Sequence, residues 1–227
     1  MGEMFTLFEI DMQLSDVIAV TAMCLSISMI LTGLPLCAQI RREGTAHVQL
    51  FPFVAFFTNC VLWTKYGILI HDNAILFVNL FGSILEAIYV LVYFLHTNNK
   101  GQVYRYCAAS AFFIFPILTY IRLGYGQHAT TVKILGSMCQ VACVITFGSP
   151  LAAVRQVLET KSTETMSLPW CTMGTLCAFQ WFFYGYLISD FNVQIPNFLG
   201  FLLGLFQIYL IFLFRPRRMY KRVPQNL

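Results

Sequence analysis

Seven long apolar runs occupy almost the whole 227-residue chain, and they constrain its fold more than any other feature. They cover residues 17–40, 48–70, 74–95, 103–121, 132–158, 168–188 and 191–214. A helix needs about 20 residues to cross the roughly 30 Å hydrocarbon core of a bilayer, and each run is about that long. Hydrophobic residues make up 58% of the chain and charged residues only 11%, unlike a soluble domain. We therefore predict an all-α membrane protein with seven transmembrane helices.

The distribution of basic residues predicts the orientation of these helices. Eleven of the fourteen Lys and Arg residues fall on one side when the connections are taken alternately. The positive-inside rule makes that side cytosolic, so the N-terminus is expected outside or in a lumen and the C-terminus in the cytosol. The acidic N-terminus lacks the basic region of a cleaved signal peptide, so the first helix is expected to remain. Such a multi-pass protein fits the plasma membrane or the Golgi.

Several functions are excluded by what the sequence lacks. The eight cysteines lie in or beside the apolar runs without a Cys-x-x-Cys pair, so we expect packing residues and no metal site. The net charge of +4 and the basic tail "RPRRMYKR" mark topology or contact with anionic lipid, and they require no nucleic acid. No deep pair of aspartates and no HExxH motif occurs, so no catalytic residues, no enzyme activity and no cofactor are expected.

An internal repeat divides the chain into two similar parts. "GLPL" at Gly33 recurs as "GSPL" at Gly148, and "WTKYG" at Trp63 recurs as "WFFYG" at Trp181. Five pairs share an offset of 118 residues: Trp63/Trp181, Tyr66/Tyr184, Asp72/Asp190, Asn79/Asn197 and Gly82/Gly200. The Pro35/Pro150 pair has an offset of 115, which places three extra residues in the loop "RQVLETKSTET", where insertions are tolerated.

The repeat predicts an arrangement of three, one and three helices. Helices 1 to 3 match helices 5 to 7, while helix 4 has no counterpart. Three crossings alone would invert the second unit, and the additional helix keeps the two units parallel. We expect an extracellular N-terminus (1–15), a first triple-helix repeat (16–98), a linker helix (102–123), a second triple-helix repeat (130–214) and a cytosolic basic tail (215–227).

Four paired side chains are predicted to share one layer inside the membrane. Trp63 and Asn79 both lie roughly 10 to 13 Å from the turn "HDN" between helices 2 and 3. The repeat places Trp181 and Asn197 at the same depth. A single Asn in a membrane helix is more often a helix–helix hydrogen bond worth about 1 kcal/mol. Its duplication at matched depth favours contact with a ligand, and a tryptophan so deep can line a cavity as well as pack.

Polar pairs and prolines lie on opposite sides of this layer. Tyr66, Tyr184, Asp72 and Asp190 lie toward the outside, where a gate, interfacial tyrosines and simple turn caps remain alternative interpretations. The four prolines toward the cytosol are Pro35, Pro52, Pro150 and Pro169. A proline weakens a helix locally by about 3 kcal/mol, so these matched pairs favour a hinge over ordinary packing kinks. The one deep carboxylate, Glu86, has a glycine as its repeat partner, which favours a buried hydrogen bond over a symmetric ion site.

Taken together, the prolines, the two "YG" turns, the paired Asp and the paired Asn resemble the SWEET (MtN3/saliva) family of sugar transporters, of the animal type. The resemblance implies facilitated, bidirectional passage of sugars. It implies that Asn79 and Asn197 bind sugar hydroxyls, that Trp181 stacks on the sugar, and that the position of Trp63 tunes substrate size. It also implies that the four prolines permit motion of an inner gate and that Tyr66, Tyr184 and Asp190 close an outer one.

The expected substrate is a small neutral sugar, and tryptophan at both 63 and 181 favours a monosaccharide such as glucose over sucrose. Membrane lipid is the expected surrounding, and a homo-oligomer is compatible with the sequence. The rival interpretations are a PQ-loop amino-acid or cystine carrier and a seven-helix receptor. The Pro-Gln dipeptide of the first is missing from both halves, and the second gives no reason for the repeat.

Overall fold

The structure, a computed structural model, describes residues 2–124, 126–164 and 166–214, with side chains from Leu14 onward. The basic tail expected at 215–227 lies outside the described residues. The described chain is built from helices joined by short connections. They are α1 (Gly2–Leu31), α2 (Gly33–Glu43), α3 (Phe51–Ile70), α4 (Asn73–His96), α5 (Lys100–Leu123), α6 (His128–Thr146), α7 (Gly148–Thr160), α8 (Leu168–Leu187) and α9 (Phe191–Leu213). Helix α1 thus begins within the segment that the sequence predicts outside the membrane.

Seven spans result because α1–α2 and α6–α7 each form one interrupted span. Six of the seven are long and apolar enough to cross a membrane by length and composition. The remaining one, α8, has 20 residues, but its Trp, Tyr and Gln side chains lower its mean hydropathy. The order of three spans, a single helix α5 and three spans is the one that the repeat predicts.

Both interrupted spans break three residues before a proline. The breaks fall at Thr32 and Phe147, ahead of Pro35 and Pro150. At each break the backbone N–H bonds to the carbonyl three residues back, at 3.1 Å, instead of four. The proline cannot donate the next helical bond, because its nitrogen carries no hydrogen. The motifs "GLPL" and "GSPL" therefore create local bends at matching places in the two repeats.

Two tight hairpins join α3 to α4 and α8 to α9. His71 and Ser189 adopt the left-handed conformation in these turns, with φ of 57° and 56°. Gly67 and Gly185 allow the helices to approach: a Cβ on Gly67 would lie 2.7 Å from Leu76 N, and one on Gly185 would lie 2.9 Å from Gln194 N. The glycine of each "YG" motif is thus required by close helix packing.

The two halves pack through α1 against α8 and through α3 against α6, while α5 packs on α3. The largest buried cluster draws on both halves and includes Trp63, Tyr66, Trp181 and Tyr184. Below, "hairpin end" denotes the end of the bundle with the turns at 71–72 and 189–190. "Proline end" denotes the end with Pro35, Pro52, Pro150 and Pro169. Because the two hairpins lie at the same end, the repeats are parallel.

Candidate functional site

Two crossed hydrogen bonds connect the halves at the hairpin end. The hydroxyl of Tyr66 on α3 donates to Asp190 Oδ2 at 2.7 Å, and the hydroxyl of Tyr184 on α8 donates to Asp72 Oδ2 at 2.6 Å. Both tyrosines are buried. Each pair joins the helix before one hairpin to the turn of the other hairpin. The repeat predicts these four residues on the outer side of the layer of Trp and Asn side chains, and the structure brings them into contact in two pairs.

Each aspartate has a second role in its own hairpin. Asp72 Oδ1 accepts from the backbone N–H of Ile75 at 2.8 Å, and Asp190 Oδ1 accepts from that of Asn192 at 2.8 Å. These bonds cap the first turns of α4 and α9. The turn-cap and gate interpretations are therefore not alternatives, because one oxygen of each carboxylate caps a helix and the other contacts the opposite half.

The Tyr66–Asp190 pair is extended by two side chains that sequence reasoning missed. Asn192 Nδ2 donates to the hydroxyl oxygen of Tyr66 at 2.9 Å, and Gln140 Nε2 on α6 donates to Asn192 Oδ1 at 2.7 Å. The offset of 118 aligns Asn192 with Ala74, so the first half has no such extension. The available signal in the sequence was the comparison of "DFN" at Asp190 with "DNA" at Asp72, in which Asn192 corresponds to an alanine.

The two tryptophans lie directly beside these tyrosines. Trp63 meets Tyr66 edge to face, with ring centroids 5.3 Å apart, and Trp181 meets Tyr184 in the same way at 5.6 Å. Both indoles are more than 90% buried. The indole N–H of Trp181 also donates to Ser26 Oγ on α1 at 2.8 Å. Packing against the tyrosines fixes both rings on the side facing away from the hairpin turns.

A polar contact at each interface between the halves accompanies the tryptophans. Ser26 Oγ lies 3.2 Å from Cys177 Sγ, and Cys143 Sγ lies 3.3 Å from Asn59 Oδ1. The sequence offered no reason to treat these two cysteines differently from the others. They are polar partners at the interface as well as packing residues.

The two asparagines make the same local bond. Asn79 Nδ2 donates to Ile75 O and Asn197 Nδ2 donates to Val193 O, both at 2.8 Å. Neither amide is used to join two helices within the described part of the chain. Each bond fixes the side chain against its own helix and leaves one N–H and the amide oxygen for another partner. Both side chains are half-buried, so they retain access to a neighbouring space.

The four prolines divide into two kinds. Pro35 and Pro150 follow the breaks in α1–α2 and α6–α7. Pro52 and Pro169 occupy the second position of α3 and α8, where a missing N–H costs no helical bond. Pro35 and Pro169 are exposed and the other two are half-buried. Two of the four prolines thus remain in contact with the surroundings of the bundle.

Glu86 lies outside both groups. Its side chain is buried, and its Oε2 has no hydrogen-bond partner among the described residues. The buried hydrogen bond favoured by the sequence is therefore not made by this oxygen.

Two cavities border the bundle. One of about 450 Å³ opens at the hairpin end and is lined by Tyr66, Asp72, Asp190 and Asn192, among others. The other, of about 440 Å³, is a mainly apolar groove between α3, α4 and α5, lined by residues such as Phe57, Val90 and Ile114. Neither is lined by the paired Asn and Trp. The first borders the Tyr66–Asp190 bond at the hairpin end.

Comparison with known proteins agrees with this arrangement. The model of a family described as "Sugar efflux transporter for intercellular exchange" (MtN3/saliva) matches twice, at residues 16–101 and 133–219. The two matches are the two repeats, and the segment between them contains most of α5. The family match covers well over half of the chain.

Individual relatives and one solved structure are similar along most of the chain. "Sugar transporter SWEET1" of Drosophila pseudoobscura pseudoobscura is 34% identical over 89% of this chain and 90% of its own length. "Bidirectional sugar transporter SWEET10" of Arabidopsis thaliana is 29% identical over 89% of this chain and 71% of its own length. A 3.7 Å structure of a eukaryotic SWEET transporter superposes with a TM-score of 0.81, covering 92% of this chain and 98% of that one at 19% identity.

The structural match confirms the predicted all-α fold of seven helices arranged as three, one and three. The family match and the animal relative identify the type of protein that carries it. The chain is a multi-pass integral membrane protein and belongs to the SWEET (MtN3/saliva) family of sugar transporters.

Proposed function

We propose that this protein is a bidirectional facilitative transporter that carries a monosaccharide such as glucose down its gradient. The observation that carries the proposal is the crossed pair of Tyr–Asp bonds. They tie the two halves together at the hairpin end, while Pro35 and Pro169 stay exposed at the proline end. A bundle closed at one end and bent at the other is one of the two conformations that alternating access requires. Relatives named as bidirectional sugar transporters support the same function for this protein.

The hairpin end is the outer gate in this proposal, formed by Tyr66, Asp190, Tyr184 and Asp72. It opens when the two crossed bonds break and the halves separate. The proline end is the inner gate, and the breaks at Thr32 and Phe147 are its hinges. Closing it requires the interrupted spans to straighten, which the absent bond at each proline makes less costly. The orientation follows the positive-inside rule, with the N-terminus outside or lumenal and the C-terminus cytosolic.

The sugar site lies between the gates and consists of Asn79, Asn197, Trp63 and Trp181. A carboxamide both donates to and accepts from hydroxyls, so the free N–H and oxygen of each Asn suit a polyol. The indoles offer apolar faces for the C–H groups of a sugar ring. These four side chains are neutral, so a charged substrate would find no counter-charge on them. Two bulky indoles favour a monosaccharide.

The surroundings follow from the exposed apolar flanks. Phe112 and Phe115 on α5 are 83% and 71% exposed, which suits lipid and also offers a surface for a second copy in a homo-oligomer. The plasma membrane and the Golgi are the proposed locations.

The test is uptake of labelled glucose, galactose and sucrose by proteoliposomes that contain the purified protein, with and without a pH gradient. We expect glucose to equilibrate at a rate independent of the pH gradient, and unlabelled glucose inside to accelerate entry of labelled glucose. Concentrative uptake that needs a proton gradient would contradict facilitated transport.

The site is tested with Asn79→Ala and Asn197→Ala. We expect each to abolish most glucose flux. The matched control is Asn73→Ala, an exposed asparagine on the same helix as Asn79, which we expect to leave flux unchanged. Full flux in both site variants would refute the assignment of the sugar site.

A further inference from the structure

The two hinges are held by different contacts. At both breaks a threonine hydroxyl bonds back to its own helix: Thr32 Oγ1 to Met29 O at 2.5 Å and Thr146 Oγ1 to Cys143 O at 2.6 Å. Beyond these similar local bonds, the first hinge is contacted by a tyrosine from α4. The second hinge has no equivalent residue, because the offset of 118 aligns Tyr89 with Gln207.

Tyr89 touches the first hinge on both sides of Thr32. Its hydroxyl donates to Ile30 O at 3.0 Å, the last carbonyl but one of α1. Its ring lies against Gly33, the first residue of α2, where an added Cβ would come 2.7 Å from Tyr89 Cζ. The side chain is 1% exposed, and the ring of Phe53 packs on it at 5.8 Å. The tyrosine is thus fixed in place by α3 and contacts both arms of the hinge.

The bond to Ile30 O bears on the bend itself. In an unbroken α-helix this carbonyl would accept from the backbone N–H four residues on, at Leu34. The Tyr89 hydroxyl therefore bonds to a carbonyl that lies at the break itself. Close approach of the ring also depends on Gly33 remaining where the bend places it. At the second hinge Gly148 instead faces the ring of Phe51, with a Cβ contact of 3.2 Å and no hydrogen-bonding group.

We propose that Tyr89 is a positioning residue that holds the first inner hinge bent, so that the two hinges are unequal and the transporter is biased toward its hairpin-closed conformation. The inference rests on the proposed function, because it assumes that the hinge straightens during transport. Tyr89 acts through Ile30 and Gly33 and does not touch the sugar site.

The test is Tyr89→Phe, which keeps the ring on Gly33 and Phe53 and removes the bond to Ile30 O. A neutral hydrogen bond of this kind changes a two-state ratio by about two- to tenfold. Weakening the hairpin-closed state raises the population that binds sugar from the hairpin face. We expect the half-saturation concentration of labelled glucose to fall at the hairpin face and to rise at the proline face.

The measurement uses right-side-out and inside-out vesicles, so that each face is assayed separately. In a passive carrier the ratio of maximal rate to half-saturation concentration must stay equal on both faces. Half-saturation concentrations that shift in opposite directions at the two faces therefore report a changed ratio of the two conformations. A merely structural role would lower the maximal rate and leave both half-saturation concentrations unchanged. The matched control is Tyr93→Phe, the buried tyrosine one turn further along α4 in the same cluster.

A second variant, Gly33→Ala, displaces the ring from the hinge, and we expect shifts in the same directions. Combined with Tyr89→Phe it is expected to add less than its effect alone, because the bond to Ile30 O is then already absent. Unchanged half-saturation concentrations in Tyr89→Phe, or equal shifts in Tyr93→Phe, would overturn the inference. Absence of glucose transport by the unaltered protein would instead overturn the proposed function.

Discussion

Tyr184 on α8 donates its hydroxyl to Asp72 Oδ2 at 2.6 Å, while the other oxygen of Asp72 caps α4. One carboxylate therefore serves the stability of its own hairpin and the closure between the two halves. The same relationship holds with the halves exchanged, because Tyr66 of the first half donates to Asp190 of the second. Opening the hairpin end must break two charge-assisted bonds without uncapping either helix. This arrangement makes the closure separable from the fold, and substitutions can test the two roles independently.

Removing one crossed bond should open the hairpin end. Tyr184→Phe deletes a hydrogen bond to a carboxylate, worth about 1.5 to 3 kcal/mol. We expect Trp181, packed beneath Tyr184, to become accessible to iodide added at the hairpin face, measured as increased quenching of tryptophan fluorescence. Tyr186→Phe, an exposed tyrosine on the same helix, is the control and should leave quenching unchanged. Equal quenching of the unaltered protein and Tyr184→Phe would contradict a closing role for this bond.

The two roles of Asp72 should separate between asparagine and alanine. Asp72→Asn retains an oxygen that can cap α4 but replaces a charge-assisted bond with a neutral one. Asp72→Ala loses both bonds. We expect the free energy of unfolding in detergent to be lower for Asp72→Ala than for Asp72→Asn by about 0.5 to 2 kcal/mol, the usual value of an N-cap. Quenching at the hairpin face should increase in both variants. Identical stability of the two variants would show that the cap contributes nothing.

The apolar runs made the spans predictable, and the repeat predicted that each duplicated polar residue lies at the same depth as its counterpart. The other polar contacts near the crossed pairs and the tryptophans were not predictable to the same degree. Gln140, Ser26 and Asn59 each lie singly in an apolar run, and whether such a side chain meets another helix depends on helix rotation, which hydropathy does not encode. Pro35 and Pro150 made the two breaks predictable. The proposed role of Tyr89 was not predictable, because it depends on a contact between α4 and α1.

The hairpin glycines should not tolerate a methyl group. Gly67→Ala would place Cβ 2.7 Å from Leu76 N, and Gly185→Ala would place it 2.9 Å from Gln194 N. Because backbone atoms cannot move aside as a side chain can, we expect losses of about 1 to 3 kcal/mol. Thermal unfolding in detergent measures this as a lower midpoint. The control is Gly101→Ala on α5, where the nearest atom would be 3.7 Å away and alanine favours the helix. A midpoint reduced equally in all three would rule out the hairpin contact as the cause.

The size of the proposed sugar site should depend on the tryptophan at position 63. Trp63→Leu keeps an apolar side chain in the buried cluster but removes part of the indole that packs against Tyr66. Steric fit discriminates between substrates by about tenfold or more, so we expect the ratio of sucrose flux to glucose flux to rise by about tenfold. Labelled sucrose and glucose uptake into the same proteoliposomes measures the ratio. Trp170→Leu, an exposed tryptophan beside Pro169, controls for general loosening of the bundle and should leave the ratio unchanged. Trp181→Leu should instead lower glucose flux itself, because that indole also bonds Ser26 and joins the two halves. If Trp63→Leu lowers both fluxes in proportion, the indole stabilises the bundle without limiting substrate size.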